Sequence, residues 1–197
     1  MTELVLATRN RDKVRELTAL LSGLACWIRT LDDFPQAPDI VEDGATCEAN
    51  AIKKAREIAR ATGRYTVADD TGLEVDALDG RPGAYAARYA GLGATYEDNC
   101  RKLLEELDGI PWERRTARFV TVAALASPWG EIKTARGVLE GTITDRCRGE
   151  RGFGYDPVFY VPELGKTLAE LTPEEKNQIS HRAKAFLKLR DLLQSLV

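Results

Sequence analysis

The stretch Tyr65-Thr66-Val67-Ala68-Asp69-Asp70-Thr71-Gly72 places two adjacent carboxylates directly after a short apolar run. A β-strand sends neighbouring side chains to opposite faces of its sheet, so only one of Asp69 and Asp70 can point into a given site. Carboxylates at the carboxyl end of a strand in an α/β protein lie where such sheets bind ligands and hold metal ions. The stretch therefore predicts an α/β fold with a catalytic metal site at the end of this strand.

The alternative is that Asp69 and Asp70 only open a turn, since Asp and Gly together commonly terminate strands. A second acidic pair, in Glu42-Asp43-Gly44, favours the metal site. A hard cation such as Mg²⁺ takes one or two protein carboxylates and leaves its other positions to water and substrate phosphates. Two acidic clusters are therefore enough for Mg²⁺.

The composition narrows the class of protein. A chain of 197 residues suffices for one well-packed domain, and we expect residues 1–197 to form a single domain. The net charge of −3 and the pI near 5.4 argue against a nucleic-acid binder. No apolar run approaches the length that spans a bilayer, and the start Met1-Thr2-Glu3 has no basic leader, so we expect no membrane partner.

Cysteine and histidine usage narrows the chemistry further. Cys26, Cys47, Cys100 and Cys147 are scattered without metal-ligand spacing, which fits a reduced, cytoplasmic protein. His181 is the only histidine, so a Ser-His-Asp or Cys-His mechanism would have to use it, and no GxSxG elbow accompanies it.

Hydrophobic spacing predicts alternating strands and helices. The predicted strands lie at residues 3–7, 26–30, 65–68, 73–78, 117–126 and 131–143, and the predicted helices at residues 12–21, 46–61 and 96–107. Ser127-Pro128-Trp129-Gly130 joins the two longest strands in a hairpin, which we expect to form the core of a second lobe.

The segment Thr8-Arg9-Asn10-Arg11-Asp12-Lys13 lies between the first predicted strand and the first predicted helix. Free backbone N–H groups and the helix dipole attract phosphate at such a position. The alternative is an ordinary capped helix with solvated cations. Asn50 and Lys54 lie four residues apart on the next helix and project from one side, where Lys54 can reach a triphosphate or be a solvated cation.

The segment Arg151-Gly152-Phe153-Gly154-Tyr155-Asp156-Pro157 alternates glycine with aromatic residues. Exposed ring faces and an accessible backbone suit a flat nucleobase. The alternative is a tight turn with buried aromatic side chains.

Thr172-Pro173-Glu174-Glu175 is a capping box that begins a helix, and Lys176 and Arg182 follow it. On one continuous helix these two cations, six residues apart, would diverge by roughly 120°. Either they serve different purposes, or the helix restarts at Ser180, which is a good N-cap.

Taken together, these segments resemble the inosine triphosphate pyrophosphatase family, whose members remove non-standard purine nucleoside triphosphates from the nucleotide pool. The resemblance runs nearly end to end, and the order and spacing of its motifs are specific. The motifs are Thr8 to Lys13, Glu42-Asp43-Gly44 with Glu48-Ala49-Asn50-Ala51, Ala68-Asp69-Asp70-Thr71-Gly72-Leu73, Gly80-Arg81-Pro82-Gly83, Gly152 to Pro157, and Glu175-Lys176 through Ser180-His181-Arg182.

The resemblance implies an α/β fold with an elongated, strongly twisted mixed sheet flanked by helices, two lobes with a central cleft, and a homodimer. It also implies Mg²⁺-dependent hydrolysis of ITP, dITP or XTP to the monophosphate and pyrophosphate. Asp70 would be the general base and, with Glu42, a Mg²⁺ ligand. The substrate-binding residues would be Thr8, Arg9, Asn10, Arg11, Asp12, Lys13, Lys54 and Thr71 for the triphosphate, and Phe153, Gly154, Tyr155, Asp156, Lys176, His181 and Arg182 for the base.

Two positions depart from the family pattern. Arg9 stands where the family commonly has glycine, and Cys47 stands where it commonly has phenylalanine. Two other classes compete with the enzyme. One is a regulatory module that binds a purine nucleotide without hydrolysing it, although a binder gains little from carboxylates beside a triphosphate. The other is a dinucleotide-dependent oxidoreductase, but the first strand-helix turn lacks GxGxxG.

Overall fold

The structure, a computed structural model, describes residues 2–194. Within this range the chain forms eight strands in one mixed sheet. The strands are β1 (Thr2–Leu6), β2 (Cys26–Arg29), β3 (Tyr65–Val75), β4 (Pro82–Gly83), β5 (Thr116–Ala126), β6 (Ile132–Ile143), β7 (Phe159–Val161) and β8 (Lys166–Thr167). The predicted mixed α/β fold is confirmed.

Five α-helices occur within the same residues: α1 (Arg11–Leu20), α2 (Cys47–Thr62), α3 (Tyr96–Glu106), α4 (Pro173–Ile179) and α5 (His181–Gln194). Side-chain caps explain where four of them begin. Asn10, Thr46, Thr95 and Thr172 each accept a hydrogen bond from a backbone N–H in the first turn of the helix that follows. No helix among residues 2–194 is long and apolar enough to cross a membrane.

The sheet is parallel in one part and antiparallel in another. β1 pairs in parallel with both β2 and β3, with Leu6 opposite Val67. β3 pairs antiparallel with β4, and β7 pairs antiparallel with β6 and β8. The order along the sheet is β2-β1-β3-β5-β6-β7-β8, with β4 on β3.

The sequence predicted that β3 ends at the two carboxylates, but the strand is longer. It continues through Asp69 and Asp70 to Val75, and residues 76–78, predicted as strand, form a short 3-10 turn. Beyond the end of β1, which lies opposite Val67, Leu73 and Glu74 pair with β4, and β5 is the other neighbour of β3 in the sheet. The carboxylates therefore lie in the middle of β3, just beyond the carboxyl end of its parallel neighbour.

The chain divides into two compact units. Within the described range the first comprises residues 2–70, 121–137 and 181–194, and the second comprises Thr71–Val120 and Val138–Ser180. The predicted hairpin of β5 and β6 is therefore shared between the units, and it does not form the core of one lobe alone. Strands of 11 and 12 residues rise about 3.3 Å per residue and are longer than one small core requires.

The first unit packs helices on both faces of the sheet. α2 contributes small side chains, among them Ala51 and Ala55, which pack with Val5 and Ala68 on one face. α1 and α5 contribute larger side chains on the other face. Those buried against Leu4, Leu6 and Val67 include Leu17, Leu21, Phe186 and Leu189. Alternation along β1 and β3 thus sends neighbouring residues to different helices.

The second unit has one apolar core. α3 buries Cys100, Leu103 and Leu107 in this core. The strands and the loop after β6 complete it with Leu73, Val75, Phe119, Tyr155 and Phe159. The single domain expected over residues 1–197 stays a prediction, and residues 1 and 195–197 of that range lie outside the described residues.

Candidate active site

Asp69 and Asp70 meet different helices of the first unit. Asp69 contacts Lys13 of α1 and Arg182 of α5, whereas Asp70 contacts α2. The expectation that only one of the two carboxylates faces a given site is thereby confirmed. The two clusters differ in chemistry.

The Asp69 cluster is a buried ion network. Asp69 Oδ2 lies 3.0 Å from Arg182 Nε and 3.3 Å from Lys13 Nζ, and Arg182 Nη1 lies 2.6 Å from Glu16 Oε2. Burial alone would raise the pKa of Asp69, but Lys13 and Arg182 outweigh burial and hold it well below its usual range. Burial alone would lower the pKa of Arg182, but Asp69 and Glu16 hold it above its usual value. The network therefore joins α1, β3 and α5.

The Asp70 cluster contains the two carboxylates predicted to bind metal. Asp70 Oδ2 accepts a hydrogen bond of 3.0 Å from Asn50 Nδ2, and Asp70 Oδ1 lies 3.7 Å from Lys54 Nζ. Lys54 also donates to the Glu42 carboxylate and, at 2.6 Å, to the carbonyl oxygen of Asp69. The structure therefore places Lys54, expected at a triphosphate, between Glu42 and Asp70.

The pKa values of the Asp70 cluster shift in opposite directions. Burial raises the pKa of Asp70, and the charges of Lys54 and Lys13 offset only part of that shift. Burial acts in the same direction on Glu42, but Lys54 outweighs it and lowers the pKa of that carboxyl. Burial and the nearby Asp70 carboxylate raise the pKa of the Cys47 thiol to about 12, so Cys47 stays neutral beside Asp70.

The donor set of this cluster suits a hard cation. Glu42 and Asp70 offer carboxylate oxygens that converge on one ammonium group. Residues 2–194 contain no group of three or more His, Cys, Asp or Glu side chains that could hold a metal ion. Two carboxylates fit Mg²⁺, which uses few protein ligands, and fit poorly with zinc, which prefers nitrogen and sulfur.

The predicted phosphate segment folds as a capped helix start. Asn10 Oδ1 accepts hydrogen bonds from the backbone N–H groups of Asp12 and Lys13, at 2.9 and 3.2 Å. Thr8 Oγ1 accepts from the N–H of Asn10 at 3.2 Å. Two other residues of the segment make surface ion pairs: the exposed Arg9 lies 2.6 Å from Asp39, and the half-buried Asp12 lies 3.0 Å from Arg15. Arg11 is exposed.

His181 and Arg182 open α5 in the first unit. His181 is buried, and its Nδ1 lies 2.6 Å from Thr121 Oγ1 on β5. Gly137 on β6 allows this close packing, since a Cβ at Gly137 would overlap the carbonyl oxygen of His181 and lie 2.5 Å from the backbone nitrogen of Ala185. The strands β5 and β6 thus fix where α5 begins.

The predicted base-binding segment forms a second cluster, in the second unit. Asp156 Oδ2 accepts hydrogen bonds from Lys176 Nζ at 2.6 Å and from the N–H of Phe153 at 2.8 Å. The Lys176 ammonium also lies 4.7 Å from the centroid of the Phe153 ring, and Tyr96 of α3 packs against that ring at 5.8 Å. Phe153, Asp156 and Lys176 are therefore brought together.

The glycines of this segment are needed for its shape. Gly152 has φ +73°, and a Cβ there would overlap the Asp156 carboxylate. Gly154, with φ +63°, accepts a hydrogen bond of 3.3 Å from the Cys100 thiol through its carbonyl oxygen. Tyr155 is buried and donates to the carbonyl oxygen of Ala86 at 2.8 Å. For Tyr155, the alternative of a turn with a buried aromatic side chain is therefore the one observed.

The helix break predicted near Ser180 is confirmed. α4 ends at Ile179, Ser180 is extended with φ −64° and ψ 153°, and α5 begins at His181. Lys176 belongs to the second unit and Arg182 to the first, and Thr71 is the first residue of the second unit on β3. That Lys176 and Arg182 approach one ligand stays a prediction, as do the substrate contacts of the other residues.

Sequence reasoning missed several partners in these clusters. Glu16 carried a usable signal, since it lies three residues after Lys13 on the same helix face. No local pattern indicated the roles of Thr121 and Tyr96. Thr121 contacts His181, 60 residues away in the chain, and Tyr96 contacts Phe153, which is also distant in sequence.

Comparison with known proteins identifies the family of this chain. A protein-family model described as the Ham1 family matches residues 4–192. The protein of Geobacter sulfurreducens called dITP/XTP pyrophosphatase is 53% identical over 193 residues, which are 98% of this chain and 97% of that relative. The protein of the same name from Geobacillus kaustophilus is 52% identical over 197 residues, which are 100% of this chain and 97% of that relative.

Solved structures agree as well. A HAM1 protein from Coxiella burnetii superposes with a TM-score of 0.90 at 43% identity, covering 99% of this chain and 100% of that one. A nucleoside-triphosphatase, dITP/XTP pyrophosphatase, from Mycobacterium abscessus superposes with a TM-score of 0.77 at 42% identity, covering 95% of this chain and 98% of that one. The match over nearly the whole chain, together with the carboxylate clusters on β3, shows that the chain belongs to the Ham1 family.

Proposed function

We propose that this protein is a nucleoside triphosphate pyrophosphatase that hydrolyses dITP, XTP and ITP to the monophosphate and pyrophosphate. The observation that carries the proposal is the Asp70 cluster, in which a buried carboxylate with a raised pKa lies beside Lys54 and Glu42. The names of the relatives at about half identity support the choice of dITP and XTP. ITP follows from the same 6-oxopurine chemistry.

The Asp70 cluster supplies what phosphoryl chemistry needs. Asp70, as the anion, takes the proton from the attacking water, and Lys54 offsets the negative charge of the substrate oxygens. Glu42 and Asp70 would hold Mg²⁺, which when bound neutralises charge on the phosphate oxygens. A passive nucleotide binder gains nothing from a buried carboxylate in this position.

The cluster of Phe153, Asp156 and Lys176 supports recognition of the base. The half-buried Phe153 ring offers a face for stacking, and Lys176 holds its ammonium beside that ring. Lysine only donates hydrogen bonds, so Lys176 suits an acceptor oxygen at purine position 6. Adenine presents an amino donor there, and a site built for the hydrogen bond can reject it by about 10⁴.

A pyrophosphate-release assay tests the proposal. The purified protein is mixed with dITP, XTP, ITP, ATP or GTP and Mg²⁺, and pyrophosphate and orthophosphate are measured separately. We expect pyrophosphate as the product, with kcat/KM for dITP, XTP and ITP well above the values for ATP and GTP. Guanine shares the oxygen at position 6, so the rejection of GTP must come from its 2-amino group. Equal hydrolysis of ATP and ITP would contradict the proposed substrate class.

Asp70→Asn tests the role of the carboxylate in the same assay. We expect kcat to fall by about 10² or more with the fold unchanged, as for loss of a general base. The matched control is Asp79→Asn, an exposed aspartate of the second unit, which should keep normal turnover. Near-normal kcat in Asp70→Asn would overturn the assignment.

Three further properties belong to the proposal. Mg²⁺ dependence rests on the two carboxylates at Lys54, and excess EDTA should abolish turnover, which added Mg²⁺ restores.

Homodimer formation rests on the family resemblance, and light scattering should give twice the mass of one chain. A cytoplasmic location rests on the nucleotide substrates and on four cysteines that form no disulfide, and cell fractionation checks it.

A further inference from the structure

Asn50 uses both ends of its amide inside the first unit. It lies on α2, and only 1% of its surface is exposed. Its Oδ1 accepts a hydrogen bond of 2.8 Å from the N–H of Gly44, and its Nδ2 donates one of 3.0 Å to Asp70 Oδ2. A backbone N–H can only donate, so Oδ1 must face Gly44 and Nδ2 must face the carboxylate.

The contact with Asp70 settles which of its oxygens faces the rest of the cluster. Because Asn50 donates its hydrogen bond to Asp70 Oδ2, the other oxygen, Asp70 Oδ1, faces Lys54 Nζ at 3.7 Å. The amide does this without adding charge, because Lys54 already supplies the cation beside Asp70.

The hydrogen bond between Asn50 and Gly44 also affects the placement of the second carboxylate, that of Glu42. Gly44 is two residues after Glu42, so the hydrogen bond from its N–H fixes the segment that carries Glu42. A Cβ at Gly44 would lie 2.6 Å from Asn50 Oδ1 and 2.9 Å from Ala49 Cβ. Glycine is therefore needed for this segment to approach α2 closely.

We propose that Asn50 is a positioning residue for the hydrolysis, setting the orientation of Asp70 and, through Gly44, the placement of Glu42 relative to it. This inference rests on the proposed function. Asn50 acts through Asp70 and Gly44, and it is the group that links the carboxylate on β3 to the segment before α2. A small misplacement of reacting groups is enough to cost about 10² in rate, so the loss of this link should appear in kcat.

Two substitutions separate the two ends of the amide. Asn50→Leu removes both hydrogen bonds at similar size. Asn50→Asp keeps an acceptor for the Gly44 N–H and removes the donor to Asp70. We expect both variants to lower kcat on dITP by about 10-fold or more, with KM changed by less than about threefold, because the orientation of Asp70 matters in the transition state. Wild-type kcat in Asn50→Asp would overturn the proposal, even if Asn50→Leu did not fold.

Asn99 provides a matched control. It is 2% exposed on α3, its Oδ1 accepts from the N–H of Ala90 at 2.7 Å, and its Nδ2 donates to the carbonyl oxygen of Ala87 at 3.2 Å. Asn99→Leu therefore removes an equally buried, two-ended amide that contacts no carboxylate. We expect a similar loss of thermal stability and a kcat within about twofold of wild type. If Asn99→Leu and Asn50→Leu lower kcat equally, Asn50 has only a structural role.

A double-mutant cycle with Asp70→Asn tests whether Asn50 acts through Asp70. Where the base is already lost, Asn50→Leu should lower the residual kcat by less than about twofold. Fully additive losses in kcat would contradict the proposal.

A second cycle, of Asn50→Leu with Asp70→Ala, is measured by urea unfolding without nucleotide or metal, so that it does not depend on activity. Alanine removes the acceptor for the Asn50 amide, which asparagine at position 70 would keep. We expect the shift in midpoint for the double variant to be smaller than the sum of the two single shifts, because the substitutions remove one shared interaction. If the wild type released no pyrophosphate, the proposed function would fall, while additive unfolding midpoints would separately overturn the link between Asn50 and Asp70.

Discussion

Asp69 and Asp70 are neighbours on one strand, yet their pKa values shift in opposite directions. Asp69 contacts Lys13 and Arg182, and these two cations hold its pKa well below the usual range. Asp70 has the Asn50 amide, the Cys47 thiol and the more distant Lys54 ammonium as neighbours, and burial raises its pKa. One carboxylate therefore serves as a permanent counter-ion, and the other is suited to exchange a proton.

Asp69→Asn should destabilise the protein strongly, because it leaves Lys13 and Arg182 buried without their shared anion. Breaking a buried ion pair by removing one partner costs about 3–5 kcal/mol. Urea unfolding measures the loss. The control is Asp39→Asn, whose partner Arg9 forms an exposed pair with it, and there we expect no measurable change. A loss in Asp69→Asn no larger than in the control would show that the ion network does not stabilise the fold.

Cys100 should be unreactive in the folded protein. Burial raises the pKa of its thiol to about 12, so the reactive thiolate is scarce at pH 8 and increases only as the pH approaches that value. We expect iodoacetamide at pH 8 to modify Cys100 slowly in the native protein and quickly in urea, as read by mass spectrometry of peptides. Equal rates in both conditions would contradict the burial of this thiol.

At the scale of elements, β3 and the α4–α5 break show what local pattern can and cannot predict. The break near Ser180 was predictable, because two cations six residues apart and a serine cap are local features. The length of β3 was not, because beyond Asp70 the strand pairs with β4 and β5, and a local pattern does not show such partners. An Asp-Asp-Thr-Gly sequence favours a turn unless such a partner is present.

Gly137→Ala should displace the first turn of α5. The added methyl group would overlap the carbonyl oxygen of His181, and backbone atoms cannot move aside as a flexible side chain can. We expect a loss of about 1–3 kcal/mol in the free energy of unfolding, as for other overpacked positions. Lys133→Ala, an exposed position on the same strand, is the control and should be neutral. Thermal unfolding of both variants checks this, and equal stability would mean that α5 does not pack on β6 so closely.

Across the whole molecule, the periodic elements were predictable and the long-range contacts were not. Apolar spacing identified α1, α2, α3, β5 and β6 to within a few residues, because each buries one face. The link between Lys54 and Glu42 and the network of Arg182 with Glu16 join residues far apart, up to 166 positions along the chain. Residue types suggested such chemistry, but only the fold decides which charges meet.

The two units should unfold together. β3, β5 and β6 each contribute residues to both units, so neither unit is built from one continuous segment. Unfolding in urea, followed by circular dichroism and by the fluorescence of Trp112 in a variant with Trp27 and Trp129 replaced by phenylalanine, should give coincident midpoints. Separated midpoints would show that one unit is stable without the other.

The bond between Asp69 and Arg182 spans 113 residues, which has a consequence for the order of events during synthesis. A nascent chain that has emerged up to α2 and β3 carries only part of the first unit, and the guanidinium that neutralises Asp69 is translated only after the whole of the second unit. The first unit therefore stays incompletely folded, without α5, while the second unit is being translated. Contacts this distant in sequence slow folding, so nascent chains of this protein should depend on chaperones until translation has passed α5.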